Sequence, residues 1–453
     1  MTSPNILLIT NDQHRFDFYE GGAIPGLSTP NFSRLTAEGT TLTNSYSSCP
    51  LCVPTRFTWL YGVRASQGNG AWGDFDGRWP VNLRSMAHLL QCRGYHTGLI
   101  GKLHSHCGLP SLDLVDIEEE SRNRGFDEVT EMAGKSLVNY FDCNYTRYLE
   151  ERGLLAEYRQ RLEDLGTGHC EPLPFDDEDS IDAVIGRRIR NWLRDYDRDE
   201  PFFLHASFCN PHFPYDPTPK YADRHRPEDM PAPVGVDDPD RIEAHKKARA
   251  RYCGLIEQDD EEIGEVLQIL DERGWTENTL VIYSTDHGDM MGYRDLRGKQ
   301  QPYDTSARTP VIIRYPGTVP AGQTLAAPAE SIDLPCAVLE AAGFADVPGD
   351  LLPTSPGRSW WSYVRGKRDQ HRQWAYSEMG TWKMVCDEKW KYVHRSDGEN
   401  ELYNRAEDPH EMNSLVDHPE HQGRVREMQG WIIESMSDNI APPVQDLSGK
   451  CPE

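Results

Sequence analysis

The 453-residue chain contains no run of about 18 apolar residues, so no segment is long enough to cross a bilayer as a helix and no membrane role is expected. Its first residues, Met1-Thr2-Ser3-Pro4-Asn5, lack the basic stretch of a secretory leader, and the apolar Ile6 to Ile9 that follows is too short for one. The reading is a cytoplasmic protein. Positive charge is scarce: 47 Lys and Arg stand against 73 Asp and Glu, a formal charge of −26. Nucleic-acid binding needs a basic face toward phosphate, so this charge argues against nucleic acid as a partner. Long polyanions would be repelled unless a local basic patch focused them, whereas a small mono-anion is easily reconciled with this charge. Regular cysteine spacing is absent too; eleven scattered cysteines, an odd number, fit reduced thiols rather than a disulfide framework. Cys49-x-x-Cys52 has the spacing of a zinc or redox pair, but no second Cys or His pair follows at finger spacing.

What is present is an α/β pattern. Apolar runs at Ile6 to Ile9, His96 to Ile100, Pro201 to Phe208, Thr279 to Ser284 and Thr309 to Ile313 are bounded by polar residues, as expected of strands buried on both faces of a parallel sheet. Helical patterns lie between them: a helix capped by Thr29 with Pro30 at its first position through about Glu38, then Asn82 to Cys92, Tyr145 to Arg152, Ile181 to Tyr196 and Asp240 to Arg273. From Leu112 to Asp199 the chain otherwise reads as charged and irregular. Beyond about Gly357 the pattern becomes short alternating strands, Trp374 to Glu378, Trp382 to Cys386, Lys391 to His394 and Glu401 to Tyr403, with a helix near Gly423 to Met436. The expectation is a mostly parallel sheet flanked by helices over residues 1–356, a smaller antiparallel sheet with one helix over 357–436, and a tail at 437–453 that is disordered or an oligomer arm.

In open α/β sheets ligands gather at the carboxyl ends of strands, which directs attention to the residues just after each run. The first strand delivers Asn11-Asp12-Gln13-His14, where Asp12 suits a metal or a substrate, or simply a turn. Cys52, Pro54 and Arg56 form Cys-x-Pro-x-Arg ahead of an apolar, helix-like run. Proline fits a first helical turn, so Cys52 sits just before a helix start, where unpaired N–H groups and the helix dipole receive an anion and a thiol ionises easily. A small buried cysteine beside a structural arginine is the plainer alternative. Gly68 to Pro80 holds Asn69, Trp72, Asp74, Asp76 and Trp79, candidates for substrate contact because a Trp offers a flat stacking face and a donor; packed tryptophans in a surface loop are the alternative. Lys102 and His104 follow the second run, with His106 making a His-x-His that would also suit a metal pair. His212 follows the third, and Asp286 and His287, then Lys299, follow the fourth.

Taken in order, these elements resemble the type I sulfatases, the formylglycine-dependent branch of the alkaline phosphatase superfamily. Cys52-Val53-Pro54-Thr55-Arg56 resembles the family signature, although Leu60-Tyr61-Gly62-Val63 replaces its usual Leu-Thr-Gly-Arg. Gly101-Lys102-Leu103-His104, Pro211-His212-Phe213-Pro214, Thr285-Asp286-His287-Gly288, Gly298-Lys299, Glu401-Leu402-Tyr403-Asn404 and Asp408-Pro409-His410-Glu411 match further family elements. Asp12-Gln13 is nearest in style to the choline sulfatase, phosphonate monoester hydrolase and carbohydrate sulfatase branches. The resemblance implies an alkaline-phosphatase-like fold and a hydrolase of the sulfate monoester of a small organic or sugar sulfate. It implies that a formylglycine-generating or equivalent maturation enzyme converts Cys52 to formylglycine, whose hydrated aldehyde is the nucleophile. Asp12, Gln13, Cys52, Asp286 and His287 would hold a divalent metal, Ca2+ by family habit, with Mn2+ or Mg2+ open because of the histidine. Arg56, Lys102 and Lys299 would neutralise the sulfate, His212 would protonate the leaving oxygen, and His104 would take the proton whose loss expels sulfate. A phosphonate monoester or phosphodiester hydrolase on the same site is the second reading, and a non-catalytic binding protein on the same fold the third. For a choline-like substrate Trp72, Asp74, Asp76 and Trp79 would form the cage.

Overall fold

A computed structural model of the chain describes residues 3–67, 79, 83–106, 112–344 and 355–437. The main sheet is built from β1 (Asn5–Asp12), β2 (Thr40–Tyr46), β3 (His96–Gly101), β4 (Glu128–Glu131), β5 (Phe202–Pro211), β6 (Thr279–Thr285), β7 (Arg308–Arg314) and the short β8 (Gln323–Leu325) and β9 (Ala329–Glu330). Its order is β8-β2-β7-β6-β1-β5-β3-β4, with β9 also paired to β2. All pairings are parallel except those of β7, which runs antiparallel to both β6 and β2. The apolar pattern of Thr309 to Ile313 marks a buried strand but carries no information about its direction, so this reversal is visible only in the structure.

Strand β1 is buried along its whole length because both sheet faces are covered. Ile6 and Leu8 face one core with Phe57 and Trp59 of helix α2 (Cys52–Tyr61). Leu7 and Ile9 face the other, with Val184 and Ile189 of α3 (Ile181–Asp195) and Ile263 and Leu267 of α4 (Pro239–Glu272). This two-residue alternation is what the pleat dictates. Helix α4 starts where Asp238 accepts from the Asp240 and Arg241 amides, with Pro239 in its first turn. Helix α1 (Pro30–Glu38) departs from expectation at its cap: the Thr29 hydroxyl accepts from the Glu20 amide, while Asp260 of α4 takes the Asn31 and Phe32 amides. A carboxylate from a distant helix, already fixed there by packing, outcompetes the local hydroxyl. The stretch from 112 to 199 also holds a helix at Leu155–Leu165 and edge strand β4 that its charge pattern hid.

The second sheet, β10 (Ala375–Met379), β11 (Trp382–Cys386), β12 (Trp390–Arg395) and β13 (Glu401–Asn404), is an antiparallel meander. One face packs Tyr376, Val385, Tyr392 and Leu402 under Val425, Met428 and Trp431 of α5 (Gln422–Ser437). The other packs Ala375, Trp382 and Met384 on Tyr46 and Ala307 of the main body. The tail from residue 438 onward lies outside the described residues. Among the described residues eight cysteines are free thiols, but Cys92 is disulfide-bonded, which corrects the expectation of reduced thiols at that position. No helix among the described residues is long and apolar enough to cross a membrane.

Candidate active site

The sheet order reverses around β1, and the chemistry-bearing residues cluster at the carboxyl ends of the strands that surround it. Asp12 ends β1, Lys102 follows β3, His212 follows β5 and Asp286 follows β6, while the connection leaving β2 delivers Cys52 as the first residue of α2. Pro54 is the third helical residue, within the first turn, but Cys52 lies inside the helix start rather than just before it. Gly101, at φ +110°, lets β3 approach β5 so closely that an added Cβ would come within 1.8 Å of the Ser207 carbonyl oxygen. That approach sets the backbone position from which Lys102 reaches inward.

Asp12, Cys52, Asp286 and His287 are all buried, and their candidate ligand atoms lie within 4.8 Å of one another. His287 donates from Nδ1 to the Gly288 carbonyl at 2.9 Å, which leaves its Nε2 lone pair toward Cys52 Sγ at 3.2 Å. Asp286 Oδ1 accepts from the Gln13 and His287 amides, and its Oδ2 accepts from Arg56 Nε at 2.9 Å. Arg56 also donates to the Lys102 carbonyl (2.6 Å) and Ser207 Oγ (2.9 Å), and its Nη2 lies 3.6 Å from Asp12 Oδ2. Lys102 Nζ meets Asp12 Oδ2 at 2.5 Å. Lys299 donates to Cys52 Sγ at 2.7 Å and to His212 Nε2 at 3.0 Å, while His212 Nδ1 donates to the Phe213 carbonyl at 2.6 Å.

Burial alone would raise the Asp12 carboxyl, but the permanent cations Lys102, Arg56 and Lys299 outweigh it and hold the group well below the usual carboxylate range. Burial lowers His212, reinforced by Lys299, and lowers His104, reinforced by Lys102 and Arg56, so both imidazoles are neutral. His104 and Gln13 adopt left-handed backbone conformations at φ 65° and 70°. Strain of this kind at non-glycine residues concentrates where geometry matters for function. His106, by contrast, turns away to Glu120 at 3.0 Å, which removes the His-x-His metal-pair alternative.

A divalent cation is consistent with the donors assembled here. Gln13 Nε2 donates to the Asp289 carboxylate, and the buried amide oxygen has no hydrogen-bond partner among the described residues, an acceptor that a cation would satisfy. Two carboxylates, that oxygen and one imidazole make an oxygen-rich set suited to a hard ion. Asp289 was not anticipated from the sequence. Besides Gln13 it accepts from Tyr215 Oη at 2.6 Å and from the Gly298 amide at 2.9 Å, so it ties the β1 end to the loop carrying Lys299. Its only sequence signal is an acid directly after Asp286-His287-Gly288. Ser207, which bridges Arg56 and the Lys102 carbonyl, was also unflagged. Of the five substrate-contact candidates, Asn69, Trp72, Asp74 and Asp76 lie outside the described residues. Trp79 is 2% exposed and packs edge-on against Phe57 and Tyr61, so it is a core residue and its ring offers no stacking face.

A sequence profile of sulfatases matches residues 4–344, and one of N-sulphoglucosamine sulphohydrolase C-terminal regions matches residues 292–438. An arylsulfatase of Clostridium perfringens is 28% identical over 471 residues, covering 96% of this chain and 94% of the relative. A choline-sulfatase of Rhizobium meliloti is 26% identical over 459 residues, covering 92% and 83%. Among solved structures, the phosphonate monoester hydrolase of Agrobacterium radiobacter shares the fold with a TM-score of 0.79 at 20% identity, over 96% of each chain.

Proposed function

The chain belongs to the sulfatase family and is a sulfuric ester hydrolase on an alkaline-phosphatase-like fold; we propose that its substrate is the sulfate monoester of a small organic molecule or sugar, and that Cys52, matured to formylglycine, is its nucleophilic position. The observation that carries this reading is the surroundings of Cys52 Sγ. It lies at the positive end of α2, 2.7 Å from Lys299 Nζ and 3.2 Å from His287 Nε2, beside the Asp12 carboxylate that Lys102 and Arg56 neutralise. A small substrate follows from the net charge of −26, which leaves this buried cationic cluster as the place for an anion.

Formylglycine at this position would supply a hydrated aldehyde, one hydroxyl attacking sulfur and the other allowing sulfate release without a separate hydrolytic water. A divalent cation held by Asp12, Gln13, Asp286 and His287, Ca2+ by its oxygen-rich donors with Mn2+ and Mg2+ as rivals, would polarise the sulfate as a Lewis acid. The protein's own groups do the rest. Arg56 and Lys102 are fixed by buried carboxylates before substrate arrives, so they stabilise developing negative charge with little reorganisation. Lys299 faces both the nucleophilic position and His212, which places a proton between them for the departing alcohol oxygen. His104, held neutral by burial beside Lys102 and Arg56, is in the form that accepts a proton. An enzyme that installs the aldehyde is the required partner.

Peptide mass spectrometry across Cys52, on protein made with and without a formylglycine-generating enzyme, tests this alongside aryl sulfate and aryl phosphonate assays. A loss of about 18 Da at Cys52 that tracks with sulfate hydrolysis is expected, as thiol becomes aldehyde. Full activity with an unmodified thiol refutes the nucleophile, and preference for the phosphonate refutes the substrate class.

A further inference from the structure

Lys299 stands in the stretch 296–303 between β6 and β7, which holds neither helix nor strand, and its neighbours Gly298 and Gln300 both take left-handed backbone conformations, at φ 79° and 73°. A flexible four-carbon stem goes where its backbone aims it, so whatever holds this double turn decides where the ammonium sits. Both backbone polar groups of Gln300 are held. Its backbone N–H donates to the Pro50 carbonyl in the loop leading to Cys52, at 3.1 Å, and its backbone carbonyl accepts from the Trp382 indole N–H, at 3.0 Å. Trp382 begins β11 of the C-terminal sheet and is 4% exposed.

The same sheet grips both sides of the site. From β12, the fully buried Lys391 donates to the Pro302 carbonyl at 3.1 Å and pairs with Asp304 and Glu411, and Glu411 also takes the Asp304 amide. From β10, the Glu378 amide donates to the Ser48 carbonyl at 2.9 Å, upstream of Cys52. Residues 48–50 and 300–304 are thus registered against one frame, and that frame lies outside the main sheet.

We propose that the C-terminal sheet is a working part of the active site, with Trp382 as a positioning residue that sets Lys299 between Cys52 and His212. This rests on the reading of Lys299 as a group that acts on the sulfate ester. Trp382 touches neither substrate nor reacting atoms; its indole N–H fixes the Gln300 carbonyl, the carbonyl fixes the turn, and the turn aims Lys299.

The test is a double-mutant cycle on the full-length, matured enzyme with Trp382→Phe and Lys299→Ala, assayed on an aryl sulfate with an acidic phenol and on an alkyl sulfate. Trp382→Phe is expected to lower kcat/KM by about ten- to hundredfold, the scale set by a misplaced catalytic group. The loss should be greater for the alkyl ester, whose leaving oxygen needs the proton more. In the Lys299→Ala background the same substitution should change kcat/KM by less than about twofold, since its effect runs through Lys299. β-(3-Benzothienyl)alanine at position 382 keeps the ring shape without the N–H and should behave as the Phe variant does, which separates the hydrogen bond from packing. Wild-type kcat/KM in both 382 variants, losses that multiply with Lys299→Ala, or equal losses on the two esters overturn the proposal. A fully active Lys299→Ala enzyme overturns the assignment of Lys299 itself, and this inference with it.

Discussion

Replacing Arg56 by Lys keeps the charge and removes the fork, which isolates what the guanidinium geometry does. Arg56 is 1% exposed and bridges two halves of the site: Nε serves Asp286, while Nη1 serves the Lys102 carbonyl and Ser207 Oγ. A lysine ammonium is a point donor and reaches one side only. If it stays with Asp286, the Lys102 carbonyl keeps a donor in Ser207 Oγ at 2.8 Å, and Ser207 keeps Thr10 at 3.1 Å, so no acceptor is orphaned outright. What disappears is two hydrogen bonds from a charged donor, each contributing about 1.5–3 kcal/mol, hence a destabilisation of about 3–6 kcal/mol. Against a typical total of about 5–15 kcal/mol this leaves a folded but weakened protein. Activity should fall further than stability, because Lys102 and Asp286 are no longer locked together and a shift near 1 Å costs about 100-fold in rate. Denaturant unfolding midpoints and kcat/KM on an aryl sulfate check both numbers. A variant within about 1 kcal/mol and threefold of the parent would refute the bridging role.

Removing divalent metal with a chelator should abolish sulfate hydrolysis and lower Tm, and restoring the ion at about 100-fold its Kd should return about 2.7 kcal/mol of stability; a chelated enzyme with full activity and unchanged Tm refutes the cation at Asp12, Gln13, Asp286 and His287. Gly101→Ala should cost stability heavily, by about 3 kcal/mol or more, and reduce activity through the adjacent Lys102, since the new methyl must enter the Ser207 carbonyl; wild-type melting and turnover would contradict this. For acid stability, burial opposes ionisation of Asp333, but Arg372, with Nε at 2.8 Å, and His371 hold its carboxyl well below the usual range. A depressed folded pKa contributes stability above the unfolded value near pH ~3.9 and loses it as pH falls toward the folded one. The Tm gap between parent and Asp333→Asn should therefore be widest above about pH 5 and close toward about pH 2; a pH-independent gap contradicts the assignment.

Much of this molecule is written locally. The apolar run at Ile6 to Ile9 and the alternation after residue 374 specify strands because burial on two faces or on one leaves a readable period, and observed boundaries such as Trp382–Cys386 coincide with it. Lys102, His212 and Asp286 were legible because each follows a strand, and strand ends are where a parallel sheet exposes its ligands, whereas Cys52 was legible from Cys-x-Pro-x-Arg ahead of an apolar helical run. Other features depend on partners far away in the chain. The direction of β7 is set by its neighbours, and the cap of Pro30–Glu38 by Asp260, some 230 positions on. Trp79 reads as a loop residue until Phe57 and Tyr61 close around it. Asp289 orients Gln13 across 276 residues, and Trp382 holds the carbonyl of Gln300 from another sheet. Periodicity and spacing are local, so the order of residues along the chain reveals which chemistry-bearing groups exist and which strand ends carry them. Which groups are buried together, what fixes their direction and which distant side chain holds each loop emerge on folding alone, because hydrogen bonds and burial are satisfied in space without regard to sequence separation.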